Sequence, residues 1–483
     1  GTYLALFWTR YAGLDISQVQ NIQGVTLILS AVTAIIIGGL SDNFFKFKLG
    51  QRFGRRRFFL LFGAPVLLLT TAMWIPNLSY WWYFAIFFLW TMLNQIIMIP
   101  YSTIPSEMTT NFNGRTILSS TRMFISGLSG TIIPIVGAAL LKTMGDKGAT
   151  YQTIGTLFIV LFSIALVISY KTTWNGKIAE ADLLELEEAK KNKQKFSLTR
   201  WFKEIGSVIW GYLTTLRIRA FQRHMAIYLL GVTMMDIFGA VFVFYVIYVL
   251  GKDAAFASAM LALGIIWNPT APLTAWMFAK LGVNKMYSFA FAGMITLLLG
   301  FYWLSTQVAT MSSGLFTTWA LVIGTIWLFF KSFAYSLPWN VFPFVPDVDE
   351  IVTRHRREGA FSAMVLFLRR VTQGFSAIIV GMYLKHVGFD ATLKTQSAAA
   401  HQGLINVLVW WVIAGLVVAW IISLGFRLNS HTHAVLLNEM ERLREGGSKA
   451  EVTPEAKKVV EDLTGVKYEK VWPDLPEVDA IKG

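Results

Sequence analysis

Twelve stretches of this chain are long, nearly continuous apolar runs, near 1–13, 22–41, 57–77, 80–101, 117–142, 152–171, 225–250, 254–280, 286–305, 315–344, 359–384 and 403–427. Most approach the roughly 20 residues that an α-helix needs to cross a hydrocarbon core. A backbone surrounded by lipid must satisfy its hydrogen bonds internally, so runs of this kind fold as helices packed side by side. The first run is too short for a span and reads as the remainder of a helix that starts before Gly1. The expected fold is an all-α polytopic bundle of about twelve transmembrane helices. Composition agrees, because 14% of the residues are charged where a soluble chain carries about 25%.

The formal net charge of +14 bears on orientation before it bears on nucleic acid. Lys46, Lys48, Arg52, Arg55, Arg56 and Arg57 lie between the second and third runs, and Arg354, Arg356 and Arg357 follow the tenth. The segment 172–220 is also basic, while the alternate loops 14–21, 77–79 and 306–314 have no Lys or Arg. That alternation predicts a multi-pass protein of the inner or plasma membrane with both termini in the cytoplasm. It gives no reason to expect a nucleic-acid partner. Cysteine is absent, which excludes disulfides, thiol catalysis and cysteine metal sites. No His-Glu-x-x-His, Gly-x-Ser-x-Gly or P-loop string occurs, so the chain is not expected to be an enzyme or to hold a metal or other cofactor.

The polar segment divides the runs six and six: a first half at 1–171, a central loop at 172–220, a second half at 221–428 and a cytoplasmic tail at 429–483. Ile178–Lys190 reads as an amphipathic surface helix. In the tail, Thr453-Pro454-Glu455 has the pattern of a helix start and Gly465 that of a stop. The tail is either a short regulatory or plugging helix or a solvated terminus. A faint repeat links the halves. Pro100-Tyr101 is followed by Glu107, Arg115 and Arg122, and Pro338-Trp339 by Asp349, Glu350, Arg357 and Arg370. Duplicated carriers show equivalent loops of this kind, with the solute site between the repeats.

Three ionisable residues fall at mid-depth of apolar runs: Asp236, Lys331 and Arg370. Charge there costs on the order of 3 kcal/mol or more, so such residues face a cavity or a partner. The plain alternative is static pairing between helices, Asp236 with Lys331 or another base. Arg369 lies beside Arg370 and projects elsewhere on its helix, so at most one of the two is expected to face the pathway. Arg10 is expected to snorkel to the interface, and His224 and His355 to be interface residues at helix ends.

Two loop strings are specific enough to suggest a family. Ile99–Arg122 (IPYSTIPSEMTTNFNGRTILSSTR) and the stretch from Leu337 (LPWNVFPFVPDVDEIVTRHRREG) resemble the loops after spans four and ten of the glycoside–pentoside–hexuronide:cation symporters. Gly39-Leu40-Ser41-Asp42 with Gly54-Arg55-Arg56-Arg57 resembles the general major-facilitator loop. The resemblance implies a major-facilitator fold of two pseudo-symmetric six-helix halves, a monomer in lipid, and alternating access. It implies a cytoplasmic gate made by Asp42, Glu107, Arg115, Asp349, Glu350 and Arg357. Orientation charge alone would equally place them there.

The departures matter too. The melibiose carrier's two cation-site carboxylates correspond to Ser30 and Ala34, its sugar-binding acid in span four to Met98, and the neighbouring tryptophan to Ser102. Its arginine in span five is kept as Arg122, and its span-eleven lysine corresponds to Arg370. Without those sodium carboxylates, the coupling ion is expected to be H+ rather than Na+, exchanged through Asp236. Arg122, Lys331 and Arg370 give a solute site that favours an anion, such as a hexuronide or other acidic glycoside. Tyr335, Trp339, Tyr245 and Trp267 are candidate platforms for the apolar face of a sugar. A neutral-glycoside symporter or facilitator, or a lysolipid symporter, are the alternatives.

Overall fold

The structure, a computed structural model, describes residues 2–42, 44, 48–54, 56–108, 112–174, 210, 213–264, 270–354 and 358–473. The expected bundle is present, and no strand occurs among the described residues. The first group of helices is α1 (Thr2–Tyr11), α2 (Ile16–Asp42), α4 (Arg57–Leu69, continued as a 3-10 turn through Thr70–Trp74), α5 (Tyr80–Met108), α6 (Phe112–Met144) and α7 (Gly148–Thr172). A short helix α3 (Lys48–Phe53) lies in the basic loop between the second and third spans. The second group comprises α8 (Arg219–Tyr248), α9 (Ala254–Ala262) with α10 (Thr270–Leu281), α11 (Val283–Gln307), α12 (Ser313–Val341), α14 (Glu358–His386), and α15 (Ala398–Ile405), which runs through a π-turn into α16 (Val412–Leu424). Among the described residues, eight helical segments are long and apolar enough to cross a membrane by length and composition. Most ends fall within a few residues of the apolar runs; α2 starts at Ile16 and α8 at Arg219, ahead of their apolar stretches. Ile178–Lys190 lies outside the described residues.

Aromatic packing holds the second group together at mid-depth. Phe238 stacks on Trp327 with centroids 4.3 Å apart, and Phe301 sits 5.6 Å from Phe238. Lipid gives no hydrophobic drive between helices, so such close van der Waals contact is what binds them.

The two groups meet along α2 and α14. A Cβ built on Gly24 would lie 2.5 Å from the Gly374 carbonyl oxygen, and one on Gly374 would lie 2.6 Å from that of Gly24. Only glycine permits this approach. The seam continues through Gln20 and Ser17, which pack on Gly381. It ends at an exposed ion pair, Lys385 Nζ to Asp15 Oδ2, 2.9 Å apart.

The tail is not a solvated terminus. It forms α17 (Ser430–Arg444) and α18 (Pro454–Thr464), which pack on α13 (Val345–Thr353), the short helix after span ten. The start and stop read from the sequence are met. Thr453 Oγ1 accepts from the Ala456 N–H at 3.2 Å, and Gly465 ends the helix at φ 77°. Leu436, Leu443, Val460, Leu463, Tyr468 and Val471 are all buried, which a free tail would not accomplish.

Candidate functional site

Asp236 on α8 forms a two-pronged ion pair with Arg369 on α14. Arg369 Nη1 lies 2.6 Å from Oδ2 and Nη2 donates to Oδ1 at 2.9 Å. This fork geometry is the strongest form of carboxylate recognition by arginine. The side chains keep 16% and 24% exposure, so the pair is neither sealed off nor open to bulk water.

Lys331 and Arg370 lie close enough for their charges to act on Asp236. Tyr228, about two turns before Asp236 on α8, lies close enough to Arg369, Asp236 and Tyr335 for their charges to act on it. Lys331, Tyr335 and Trp339 recur at four-residue spacing and so share one face of α12. Tyr335 and Trp339 are exposed, and Trp339 meets Tyr228 edge-on at 5.9 Å. Lys331 also borders a small apolar pocket with Phe238, Phe242, Trp327 and Leu328. Among the described residues, neither Lys331 nor Arg370 has a carboxylate within salt-bridge distance. The cluster thus gathers three cations around one described carboxylate. An anion entering it would gain two otherwise unpaired positive partners.

Several expectations need correcting. Asp236 does form a static pair between helices, and the base is Arg369 in place of Lys331. The signal was available: two adjacent arginines at mid-depth are both too costly to face lipid. Tyr228 was missed because a tyrosine in an apolar run reads as ordinary packing. Tyr245 is not brought to the cluster; it is fully buried, and its hydroxyl donates to the Phe301 carbonyl at 2.6 Å. His224 is buried at 2% exposure between Tyr228 and Phe342 rather than lying at an interface. Trp267 and Arg357 lie outside the described residues, as do the side chains of Asp42, Glu107, Arg115 and Arg122. Of the remaining gate candidates, Asp349 is fully buried and accepts from the Thr353 hydroxyl at 3.3 Å. Glu350 receives Arg444 of the tail at 2.9 Å. Ser30, at the position of a missing cation-site acid, is buried and donates back to the Leu27 carbonyl at 2.7 Å.

Arg10 does not snorkel. Its Nη1 lies 2.7 Å from Asp146 Oδ2, and its Nε and Nη2 donate to the Tyr248 hydroxyl at 3.2 and 2.9 Å. Tyr248 donates onward to the Ala391 carbonyl at 2.6 Å, and Tyr151 to Asp146 Oδ1 at 2.7 Å. Arg10 on α1 and Asp146 between α6 and α7 belong to the first group of helices, Tyr248 at the end of α8 and Ala391 between α14 and α15 to the second. This network therefore closes the bundle at the face opposite the tail. Arg10→Ala is expected to loosen it, and a single cysteine at Ser17, in the same seam, should then react with a maleimide several-fold faster than in the Arg10 protein. An unchanged rate would show that Arg10 does not hold this face shut.

Comparison with known proteins agrees with this architecture. The family described as MFS/sugar transport protein matches residues 1–430. The chain is 24% identical to an uncharacterized symporter, sll1374, of Synechocystis, over 81% of this chain and 82% of that protein. It is 23% identical to an isoprimeverose transporter of Lactiplantibacillus pentosus, over 89% of this chain and 84% of the relative. Among solved structures, a D-xylose-proton symporter superposes with a TM-score of 0.54 at 14% identity, covering 89% of this chain and 93% of that one. At that identity the likeness concerns the fold.

Proposed function

The chain belongs to the MFS/sugar transport family, and on that premise we propose that it is a symporter for an acidic glycoside, driven by protons. It is a multi-pass membrane carrier and not an enzyme. The observation that carries the finer reading is the charge balance at mid-depth. Asp236 is held by Arg369, while Lys331 and Arg370 stand nearby with no described carboxylate within salt-bridge distance. Tyr335 and Trp339 offer exposed aromatic faces beside them, suited to the C–H face of a sugar ring. A relative named as an isoprimeverose transporter supports the glycoside part.

In this reading a solute carboxylate is drawn to Lys331 and Arg370 and competes with Asp236 for Arg369. Released from its partner in a poorly hydrated site, the Asp236 carboxylate takes up a proton, because desolvation disfavours its charged form. Solute and proton then cross together as two six-helix halves, at 1–171 and 221–428, rock about the site. The basic loops and the termini lie in the cytoplasm. The closed face held by Arg10 is then the external one, and the chain is in an inward-facing state.

Uptake of labelled uronides and neutral glycosides into proteoliposomes, with proton and sodium gradients imposed separately, tests this. Saturable uronide uptake that follows the proton gradient and falls at least tenfold in Lys331→Ala is expected. Uptake of neutral sugar alone, indifferent to Lys331→Ala, would remove the anionic substrate.

A further inference from the structure

Between α8, α9, α11 and α12 lies a cavity of about 30 Å³, lined by Phe238, Phe242, Leu261, Phe301, Trp327 and Lys331 among others. The transport reading uses Lys331 and gives the cavity itself no task. Its size limits what can enter, because there is room for a particle close to a water molecule in size and none for a sugar ring. Among its lining side chains, only Trp327 and Lys331 carry nitrogen or oxygen. Trp327 is 1% exposed, and its buried indole N–H has no hydrogen-bond partner. Buried indoles ordinarily find an acceptor, and a donor left unmet is costly. Packing fixes the ring in place. Phe238 stacks on it with centroids 4.3 Å apart, and Phe301 meets it edge-on at 6.3 Å. One turn along α12, the partly buried Lys331 has no carboxylate within salt-bridge distance among the described residues. Asp236 is near enough for its charge to act on Lys331, but it is already paired with Arg369.

We propose that this cavity binds one halide ion, chloride under physiological conditions, between the Lys331 ammonium and the Trp327 indole N–H. Both groups are donors only, so they suit an acceptor. A metal ion would need oxygen ligands, which the lining side chains do not supply. Negative charge in the acceptor also answers the local surplus, three cations to one described carboxylate. A monovalent halide gives up its water far more readily than sulfate or phosphate, and it brings no further atoms that need room. Water is the rival occupant; it satisfies the indole and leaves the charge of Lys331 uncompensated. The halide has a use in transport, and that role rests on the carrier reading above. It balances Lys331 whenever no solute carboxylate reaches it, so a bare charge is not carried through the rocking motion at mid-depth.

The test is equilibrium binding of radioactive chloride to the purified full chain, with sodium sulfate holding the ionic strength constant. Saturable binding is expected. Lys331→Met keeps the bulk of the side chain and removes its charge, and it should weaken binding about tenfold or more, the worth of one charge-assisted hydrogen bond. Trp327→Phe keeps a ring stacked on Phe238 and removes the N–H, and it should weaken binding about threefold. Lys252, held at the start of α9 by the Thr317 hydroxyl at 3.2 Å, lies outside the cavity lining, so Lys252→Met should leave the affinity unchanged. Gel filtration confirms that each variant is folded, and Trp327→Phe decides the case if Lys331→Met does not fold. Absence of saturable binding, or an affinity indifferent to both cavity variants, would overturn the site and assign the cavity to water. An equal loss in Lys252→Met would overturn it as well, since the protein would then be answering to net charge. No sugar or uronide is present, so failure here leaves the acidic-glycoside reading standing, and failure of uronide uptake leaves the halide site standing.

Discussion

Arg369→Ala is expected to be the most damaging single substitution in the spans. It leaves Asp236 in a largely desolvated site without the fork that holds it. Breaking a buried ion pair from one side costs about 3–5 kcal/mol, and the lower end applies here because Asp236 keeps 24% exposure. Thermal unfolding of purified protein should show a clear loss of stability. Removing both charges together should behave differently, since a pair replaced by neutral groups of similar size is often nearly neutral. Asp236→Asn with Arg369→Gln is therefore expected to recover most of the stability and none of the proton coupling. A variant lacking Arg369 that melts with its parent would show that Asp236 finds another cation, Lys331 or Arg370, and that the pair is not the anchor of the cluster.

The second large effect concerns the seam between the halves. Gly24→Val is expected to hold the far face open. Its first added carbon would lie 2.5 Å from the Gly374 carbonyl oxygen and 2.5 Å from Ile378 Cγ1. The first of these is backbone, which cannot rotate aside. Overpacking of this kind costs about 1–3 kcal/mol, a shift of roughly 5- to 150-fold in a two-state balance. Spin labels at Asp15 and Lys385, which pair in the closed seam, should move apart on average, and transport should fall correspondingly. An unchanged distance distribution would mean that α2 and α14 do not close this face.

These effects also show which parts of the molecule could be read from its residues. The apolar runs gave the bundle, because lipid leaves a chain no other way to satisfy its backbone. The tail helix was legible from Thr453, Pro454 and Gly465 because capping is a local matter. Where the tail docks was not, since nothing in His433, Arg444 or Trp472 names Asp347, Glu350 or Ile351 as its partner. The same limit applied at mid-depth. Asp236, Lys331 and Arg370 stood out because charge is costly there, but partner choice depends on how α8, α12 and α14 rotate against one another. That rotation put Arg369 on Asp236. Arg10 was misread for a related reason: a residue near a helix end reads as interfacial until Asp146, between α6 and α7, and Tyr248, at the end of α8, are seen to converge on it from more than a hundred residues away.

The proton-coupling role of Asp236 is the centre of the functional account. The most direct measurement is transport of a labelled uronide by Asp236→Asn in proteoliposomes, comparing accumulation driven by a proton gradient with exchange at equal pH on both sides. The carrier with Asp236 should do both. The asparagine variant, which can neither gain nor lose a proton, should keep exchange and lose accumulation. Gradient-driven accumulation that survives in Asp236→Asn would contradict the account, because the proton would then be carried elsewhere.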